Sequence, residues 1–435
     1  MLDINYIRAN QSKVEDAIRN KGYGDEIDLG EILKLDDERK RLAAEADKLR
    51  HDRNEISAKM KNGKPDAALI EQGKELKKQL AEIEPKLTEV EASFISKLKT
   101  VPNVPEDDVP VGLSEDDNEV AEVCGEPTKF DFEPRTHWEL AQQRGWLDKE
   151  RAAKVTGSRF AYIKGDMVKL QMAIVNFVMN SLSDENVIKE IIEKNNLEGI
   201  STKPFTLVLP PLMLRTDMYD AMDRLEPRED RYKIEGQELW LQGSAEHALG
   251  SMHQGEICDE KELPIRYLGY ATSFREEAGT YGKDMEGIIR MHQFDKLEME
   301  SFSTKETSRK EHELFVAIRR WLVEKLELPY RVIQKCTYDI GKPDARGIDI
   351  EVWMPGQNKY RETHTADYMT DYQSRRLATR VRRAGGEVEL VHTNDATAFA
   401  LGRAMVAVIE NYQNEDYSVT VPEVLRKYLD GKEKL

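Results

Sequence analysis

The fold of this chain is decided by residues 266–300, RYLGYATSFREEAGTYGKDMEGIIRMHQFDKLEME. The stretch opens with aromatic and β-branched residues, which predict a β-strand. Glycines and charged side chains at 279–287 then predict a long loop, and we expect a second strand to begin near Ile288. The stretch is therefore interpreted as a hairpin with a long loop.

Charged residues stand among apolar and aromatic neighbours in this hairpin. They are Arg275, Glu277, Arg290, Lys296 and Glu298. Such groups are costly to bury unless they are paired or meet a charged ligand. Arginine suits a phosphate, carboxylates suit an amine, and Phe294 offers a stacking face, so a nucleotide and an amino acid would fit together. A solvent-exposed two-stranded edge with scattered ion pairs is the alternative, and the residues alone leave both open.

Composition limits the class of protein. The chain has 435 residues, 65 Lys plus Arg against 82 Asp plus Glu, a net charge of -17 and 39% hydrophobic residues. This is typical of an acidic globular protein with two or three domains. No apolar run approaches the roughly 20 residues that span a bilayer. The start, MLDINYIRANQSK, lacks the features of a secretion signal, so we expect a cytoplasmic protein without membrane association.

Cysteine and histidine spacing gives no sign of a disulfide framework or a metal site. Cys124, Cys258 and Cys336 stand far apart and are odd in number. The eight histidines include no H-x-x-x-H pair. We therefore expect free thiols and no zinc.

Residues 28–100 have the pattern of two long helices. Apolar residues recur every seven positions in each half, at Leu35, Leu42, Leu49 and Ile56, and at Leu69, Leu76, Ile83 and Val90. A turn is predicted at Asn62, Gly63 and Pro65. These features predict an antiparallel coiled-coil arm. The Pro-rich, acidic segment 99–112 reads as a linker, which predicts an N-terminal domain at 1–104 and a second domain at 105–435.

The arm differs from the rest of the chain in charge. Residues 35–99 carry 15 Lys or Arg against 14 Asp or Glu, while the remainder is strongly acidic. An ordinary solvated coiled coil is one interpretation. The other is a surface for an RNA backbone. Its candidate contacts are Arg39, Lys40, Arg41, Lys48, Arg50 and Arg53.

The segments FREEAG and GIIRMHQFDKLEM resemble motif 2 of class II aminoacyl-tRNA synthetases, in the form found in bacterial-type seryl-tRNA synthetases. Residues 205–214, FTLVLPPLML, predict a strand that ends at Pro210. Residues 200–214, which contain this strand, are similar to motif 1 of that family, and residues 396–413 are similar to motif 3. The resemblance covers essentially the whole chain. It implies an α+β fold: a class II antiparallel sheet flanked by helices, preceded by a tRNA-binding coiled-coil arm.

The resemblance also implies a reaction and its partners. L-serine would react with ATP and Mg²⁺ to give a seryl-adenylate, and the seryl group would pass to tRNA(Ser), with tRNA(Sec) as a candidate second acceptor. Motif 1 implies a homodimer. Both steps are displacements in which positioning and charge neutralisation dominate.

Residue roles follow from the same resemblance. Arg275 and Arg403 would be catalytic, holding the α- and γ-phosphates. Glu277 would meet the adenine amino group and Phe294 would stack on its ring. The full set implied for ATP is Arg275, Glu277, Arg290, Phe294, Glu362, Thr365 and Arg403. Glu362 and Thr365 would also bind Mg²⁺, with Glu351 as a companion.

The implied serine site consists of Ser244, Glu246, Glu298, Asp395 and Thr397. For Ser244, capping of a helix N-terminus is the alternative. At the position of Ser244 the family usually has threonine, and serine preserves its hydroxyl group. Glu246 and Glu298 would hold the substrate ammonium group.

Two segments depart from the family pattern. THTADY follows Glu362, and NDATA precedes the last helix. Asp395 stands where the family has asparagine beside the serine hydroxyl. A carboxylate can accept a hydrogen bond from that hydroxyl, so we expect serine to remain the substrate. For His364, an ordinary packed or exposed histidine is the leading interpretation.

Three other functions remain alternatives. One is a relative with altered amino-acid specificity, and another charges a carrier protein, although such enzymes lack the arm. The third is a non-catalytic paralogue that uses the coiled coil for interactions. The retention of the phosphate, metal and adenine residues argues against the third.

Overall fold

The computed structural model describes residues 1–61, 67–277 and 287–435. The chain forms two compact units, Met1–Val104 and Pro105–Leu435. The turn predicted at Asn62, Gly63 and Pro65 lies outside the described residues. So do the loop residues predicted at Gly279, Gly282, Lys283, Asp284 and Glu286.

The first unit is helical. Its helices are α1 Ile4–Ala9, α2 Gln11–Asn20, α3 Leu29–Lys61 and α4 Ala67–Leu98. Lys97 Nζ lies 2.7 Å from Glu31, and Arg50 Nη2 lies 3.0 Å from Glu84, so α3 and α4 run antiparallel. Their seam buries Leu42, Ala46, Leu80, Ile83 and Leu87. The predicted coiled-coil hairpin is confirmed.

The second unit is built on strands that mostly pair antiparallel. They are β1 Glu119–Cys124, β2 Leu147–Asp148, β3 Tyr162–Ile163, β4 Thr206–Val208, β5 Met213–Arg215, β6 Leu239–Leu241, β7 Ile257–Asp259, β8 Ile265–Phe274, β9 Gln293–Ser303, β10 Tyr330–Gln334, β11 Arg346–Met354, β12 Lys359–Thr370, β13 Arg380–Arg382, β14 Val388–Leu390 and β15 His392–Ala400. Eight form one sheet in the order β1-β10-β11-β12-β15-β9-β8-β4, in which β4 alone pairs parallel to its neighbour. The predicted α+β architecture is confirmed.

The helices of this unit are α5 His137–Arg144, α6 Lys149–Thr156, α7 Asp166–Leu182, α8 Glu185–Lys194, α9 Thr216–Ala221, α10 Glu246–Gly250, α11 Ser308–Lys325, α12 Tyr372–Leu377, α13 Leu401–Asn411 and α14 Glu423–Arg426. Helices α7, α11 and α13 share one apolar core with the sheet, to which β9 contributes Leu297 and Met299. Because side chains alternate along a strand, Lys296, Glu298 and Glu300 lie on the opposite face. That polar face carries the candidate site.

Two predicted boundaries differ from the structure. The second strand of the hairpin begins at Gln293 and not near Ile288. Ile288 and Met291 are instead buried in the core, so the chain first packs inward and only then joins the sheet. The strand predicted up to Pro210 ends at Val208, since proline cannot donate a ladder hydrogen bond.

The hairpin strands lie inside the sheet, with β9 between β15 and β8. The alternative of a solvent-exposed edge is therefore wrong. Within the described part of the chain, no helix combines the length and apolarity needed to cross a membrane.

Candidate active site

One cavity on the polar face gathers every residue that the sequence suggested for ATP. Its lining includes Arg275, Glu277, Arg290, Phe294, Glu362, Thr365 and Arg403, together with Lys296 and Thr397. The hairpin, β12, β15 and the start of α13 each contribute lining residues. Residues far apart in the chain thus meet at one place.

Arg275 follows the end of β8 and is fixed on two sides. Its Nε donates to the carbonyl of Gly243 at 2.9 Å, and its guanidinium lies 5.5 Å from the centre of the Phe294 ring. Its backbone N–H donates to the carbonyl of His292 at 3.0 Å, which ties it to the segment before β9. The guanidinium is therefore held over the cavity.

Glu277 is held by residues that sequence reasoning missed. Its N–H donates to Asp230 Oδ1 at 2.8 Å, and Arg159 Nη1 donates to its carbonyl at 2.5 Å. Its φ of +50° is unusual for a residue with a side chain. Arg290 Nη1 lies 2.6 Å from its carboxylate. No sequence signal marked Asp230 or Arg159, because both act across long separations.

Arg403 and Glu362 meet directly. Arg403 Nη1 lies 3.1 Å from Glu362 Oε1 and donates to the Glu362 carbonyl at 2.8 Å. Glu351 is the register partner of Glu362 on β11, but its carboxylate pairs with Arg331 and it is not part of the cavity lining. The structure thus gives no support for Glu351 as a companion of Glu362 in the cavity.

Oxygen donors suited to Mg²⁺ are present beside Arg403. Thr365 Oγ1 is buried and forms no hydrogen bond with the described residues, and the Glu362 carboxylate lines the same cavity. Hard oxygen ligands of this kind fit Mg²⁺. Away from the cavity, His253, Glu256 and Cys258 bring ligand atoms within 4.8 Å of one another. Structural zinc takes four ligands, and the expectation of no zinc remains a prediction.

Ser244, Glu246 and Glu298 surround the ammonium group of Lys296. Lys296 Nζ donates to Ser244 Oγ at 2.8 Å and lies 2.6 Å from Glu298 and 3.9 Å from Glu246. All four side chains are buried. Helix α10 begins at Glu246 with Ala245 as its N-cap, so the capping interpretation of Ser244 is wrong. The three groups form an ammonium-binding site.

The sequence marks Lys296 by its charge, but the family resemblance assigns it no role. The signal was its position two residues before Glu298 on one strand, which places both side chains on the same face. Burial raises the pKa of Glu298 to about 8, and the Lys296 charge opposes that rise. Burial also acts to raise the pKa of Glu246. Nearby positive charges, among them those of Lys296 and Arg224, outweigh this effect, and the pKa of Glu246 is lowered.

Asp395 and Thr397 lie on β15, opposite Glu300 and Glu298 of β9. Asp395 Oδ2 is 3.6 Å from Arg224 Nη2, which lies 3.2 Å from Asp344 Oδ1. Sequence reasoning missed Arg224. The available signal was Asp395 itself, because an aspartate that becomes buried needs a nearby cation.

His364 is a packed histidine. Its side chain is 1% exposed, its ring lies 4.7 Å from that of Phe399, and Nδ1 is 2.7 Å from Thr363 Oγ1. Burial lowers its pKa well below the ordinary value. It does not line the cavity.

The six cationic residues proposed to contact RNA differ in whether they form ion pairs within the arm. Arg39 and Lys40 bind the buried carboxylate of Asp36 at 2.7 and 2.8 Å. Arg41 pairs with Glu45 at 3.3 Å, and Arg50 with Asp47 and Glu84 at 3.0 Å each. Among the described residues, no carboxylate lies within ion-pair distance of the remaining two, Lys48 and Arg53.

Comparisons with known proteins agree with this arrangement. Residues 1–105 match the family model "Seryl-tRNA synthetase N-terminal domain", and residues 230–412 match "tRNA synthetase class II core domain (G, H, P, S and T)". The serine–tRNA ligase of Thermodesulfovibrio yellowstonii is 39% identical over 438 residues, which cover 99% of each chain. That of Symbiobacterium thermophilum is 39% identical over 433 residues, 98% of each chain.

A solved structure shows the same likeness in three dimensions. The seryl-tRNA synthetase of Pyrococcus horikoshii, complexed with ATP, is 37% identical with a TM-score of 0.89, covering 100% of this chain and 99% of its own. Similarity extends over the full length in both sequence and fold. The chain therefore belongs to the seryl-tRNA synthetase family.

Proposed function

We propose that this protein attaches L-serine to tRNA(Ser) through a seryl-adenylate. The observation that carries the proposal is the position of the ammonium-binding site of Ser244, Glu246 and Glu298. It lies beside the cavity that Arg275, Phe294 and Arg403 line, and Lys296 belongs to both. The relatives are named serine–tRNA ligases, and one solved relative holds ATP.

The first step joins the amino acid to the nucleotide. A serine carboxylate oxygen attacks the α-phosphorus of ATP, and the bond to pyrophosphate breaks. Arg275 neutralises the charge that develops on the α-phosphate, while Arg403 holds the leaving pyrophosphate. Arg290 and Glu277 hold the nucleotide, with Phe294 stacked on adenine.

Glu362 and Thr365 would hold Mg²⁺ in this site. The ion, when bound, neutralises phosphate charge. Arg403 Nη1 lies 3.1 Å from Glu362 Oε1, so the groups assigned to the pyrophosphate and to the metal are neighbours.

The amino acid is held at the other end of the cavity. Ser244, Glu246 and Glu298 already bind one ammonium group, that of Lys296, and the same chemistry suits the α-ammonium of serine. Thr397 and Asp395 would contact the serine hydroxyl. In the second step a hydroxyl of the terminal ribose of tRNA attacks the seryl carbonyl carbon, the bond to the phosphate breaks, and AMP leaves.

The arm and the assembly complete the proposal. The coiled coil of α3 and α4 would contact the tRNA backbone, and motif 1 would join two copies into a homodimer. tRNA(Sec) is a candidate second acceptor, and the protein would work in the cytoplasm. The arm also disfavours a carrier protein as the acceptor.

ATP–pyrophosphate exchange with a panel of amino acids tests the activation step. We expect exchange that depends on serine, with threonine, glycine and alanine far weaker. Absence of serine-dependent exchange would overturn the proposal, and faster exchange with another amino acid would replace serine as the substrate. Transfer to tRNA(Ser) transcript, followed with labelled serine, then tests the second step.

A further inference from the structure

Three carboxylates lie side by side across neighbouring strands, one row beyond the proposed ammonium site. Asp395 on β15 is the register partner of Glu300 on β9 and of Asp367 on β12. Along their own strands, Glu300 lies two residues from Glu298, Asp395 from Thr397, and Asp367 from Thr365. Each therefore lies on the same face of the sheet as that neighbour. We refer to Glu300, Asp395 and Asp367 as the acidic row.

The acidic row is buried and short of hydrogen-bond donors. Its side chains are 0%, 2% and 7% exposed in that order. Both carboxylate oxygens of Glu300, Asp395 Oδ2 and Asp367 Oδ1 form no hydrogen bond with the described residues. Buried acceptors without donors are costly, and donors supplied by a ligand would satisfy them.

Positive charge near the acidic row is limited. Arg224 approaches Asp395 at 3.6 Å, beyond hydrogen-bond distance, and its closer contact is Asp344 at 3.2 Å. Of the described residues, none places a cationic nitrogen within ion-pair distance of Glu300 or Asp367. The three carboxylates of the row therefore outnumber the two cations whose charges act on it, Arg224 and the more distant Lys335.

Burial and the neighbouring carboxylates raise the pKa of Glu300 and of Asp395 well above the ordinary value. A carboxyl group that can hold or release its proton accommodates two kinds of ligand. Protonated, it can donate to or accept from a hydroxyl; ionised, it binds an ammonium group. The acidic row can therefore bind either a hydroxyl or an ammonium group of a ligand.

We propose that the acidic row lets this enzyme activate an amino acid that carries an amino group on its β-carbon. The substrate is 2,3-diaminopropionate, in which a β-ammonium replaces the hydroxyl of serine. The inference rests on the proposed function, since it places the α-ammonium on Ser244, Glu246 and Glu298 and the side chain against the row.

An ammonium group fits the row better than a hydroxyl does on two counts. It offers three donors where a hydroxyl offers one, and it brings a positive charge. The size of the side chain hardly changes. The chemistry of activation is unaltered: the substrate carboxylate forms a bond to the α-phosphorus, and pyrophosphate leaves with the electrons of the broken bond.

The test is ATP–pyrophosphate exchange by the full chain with L-serine, L-2,3-diaminopropionate and L-alanine. We expect kcat/KM for diaminopropionate to lie within about tenfold of that for serine, and alanine to be at least about 100-fold weaker. Asp395→Asn and Glu300→Gln keep the shape and remove the charge. In each, the ratio of kcat/KM for diaminopropionate to that for serine should fall at least about tenfold.

Glu193→Gln, on the exposed surface of α8, is the matched control and should leave that ratio unchanged. Asp367→Asn serves as a third variant if either of the first two does not fold. Exchange with serine but none with diaminopropionate overturns this inference and leaves the proposed function standing. An unchanged ratio in the folded row variants also overturns it. Exchange with neither amino acid overturns the proposed function itself.

Discussion

Lys296 Nζ lies 2.6 Å from Glu298 Oε2, so a lysine of the chain already engages the carboxylate that we assign to the substrate ammonium. The same ammonium group donates to Ser244 Oγ. Lys296 therefore favours the charged form of Glu298 against the effect of burial, and it orients Ser244. A substrate ammonium must share these groups with it.

Lys296→Met should raise KM for serine by at least about tenfold. Burial raises the pKa of Glu298 to about 8 even with the lysine charge opposing it. Without that charge the pKa rises further, Glu298 is protonated more completely, and a neutral carboxyl binds ammonium weakly. KM for ATP should change much less. Pyrophosphate exchange at varied serine and varied ATP separates the two. Lys169→Met on the exposed surface of α7 is the control, and an unchanged KM for serine would contradict the role of Lys296.

Arg275→Lys should lower kcat of serine activation by about 100-fold or more. Lysine keeps the charge but loses the planar guanidinium that donates to Gly243 and lies over Phe294. Single-turnover formation of seryl-adenylate measures the step directly. Arg215→Lys, at an exposed position on β5, should behave like the wild type. A loss confined to KM for ATP would mean that Arg275 only binds the nucleotide.

Lys48→Ala combined with Arg53→Ala should raise KM for tRNA and leave serine activation unchanged. These two cations have no carboxylate within ion-pair distance among the described residues, so they can neutralise RNA phosphates without first breaking a pair. The dependence of tRNA affinity on salt should also weaken, by about 1 to 2 in the slope of log K against log salt. The exposed Lys189→Ala on α8 serves as control. An unaltered KM for tRNA would show that the arm uses other contacts.

Asp36→Asn should destabilise the N-terminal unit by about 2 kcal/mol at pH 7. Burial alone would raise the pKa of Asp36, but hydrogen bonds from Lys40, Arg39 and Arg8 lower it from 3.8 to about 2. Because the folded value is the lower one, this stability is present above pH 3.8 and is lost as pH falls from 3.8 toward 2.

Urea unfolding of the wild type and Asp36→Asn at pH 7 and pH 3 tests this. The difference between the two proteins should shrink at the lower pH. Asp37→Asn is the matched control, because Asp37 also pairs with Arg8 but is 68% exposed, and it should cost much less. A difference that does not depend on pH would assign the effect of Asp36→Asn to packing.

Local periodicity accounts for what could be predicted. Heptad spacing in residues 28–100 reflects burial along one side of each helix, and it correctly indicated α3 and α4. Alternation along β9 placed Lys296 and Glu298 on one face. The strand start near Ile288 was wrong because an apolar residue can be buried by core packing as well as by a sheet.

The sequence by itself determined the helical arm, the hairpin and the identity of the charged groups that the site contains, because each is encoded in residues close together in the chain. Only the tertiary structure decided which of these groups lie close enough to interact with one another. It brought Arg224 to Asp395, Asp230 and Arg159 to Glu277, and Lys296 to Ser244. Such pairs depend on how distant segments pack, and burial then sets how strongly each pair interacts.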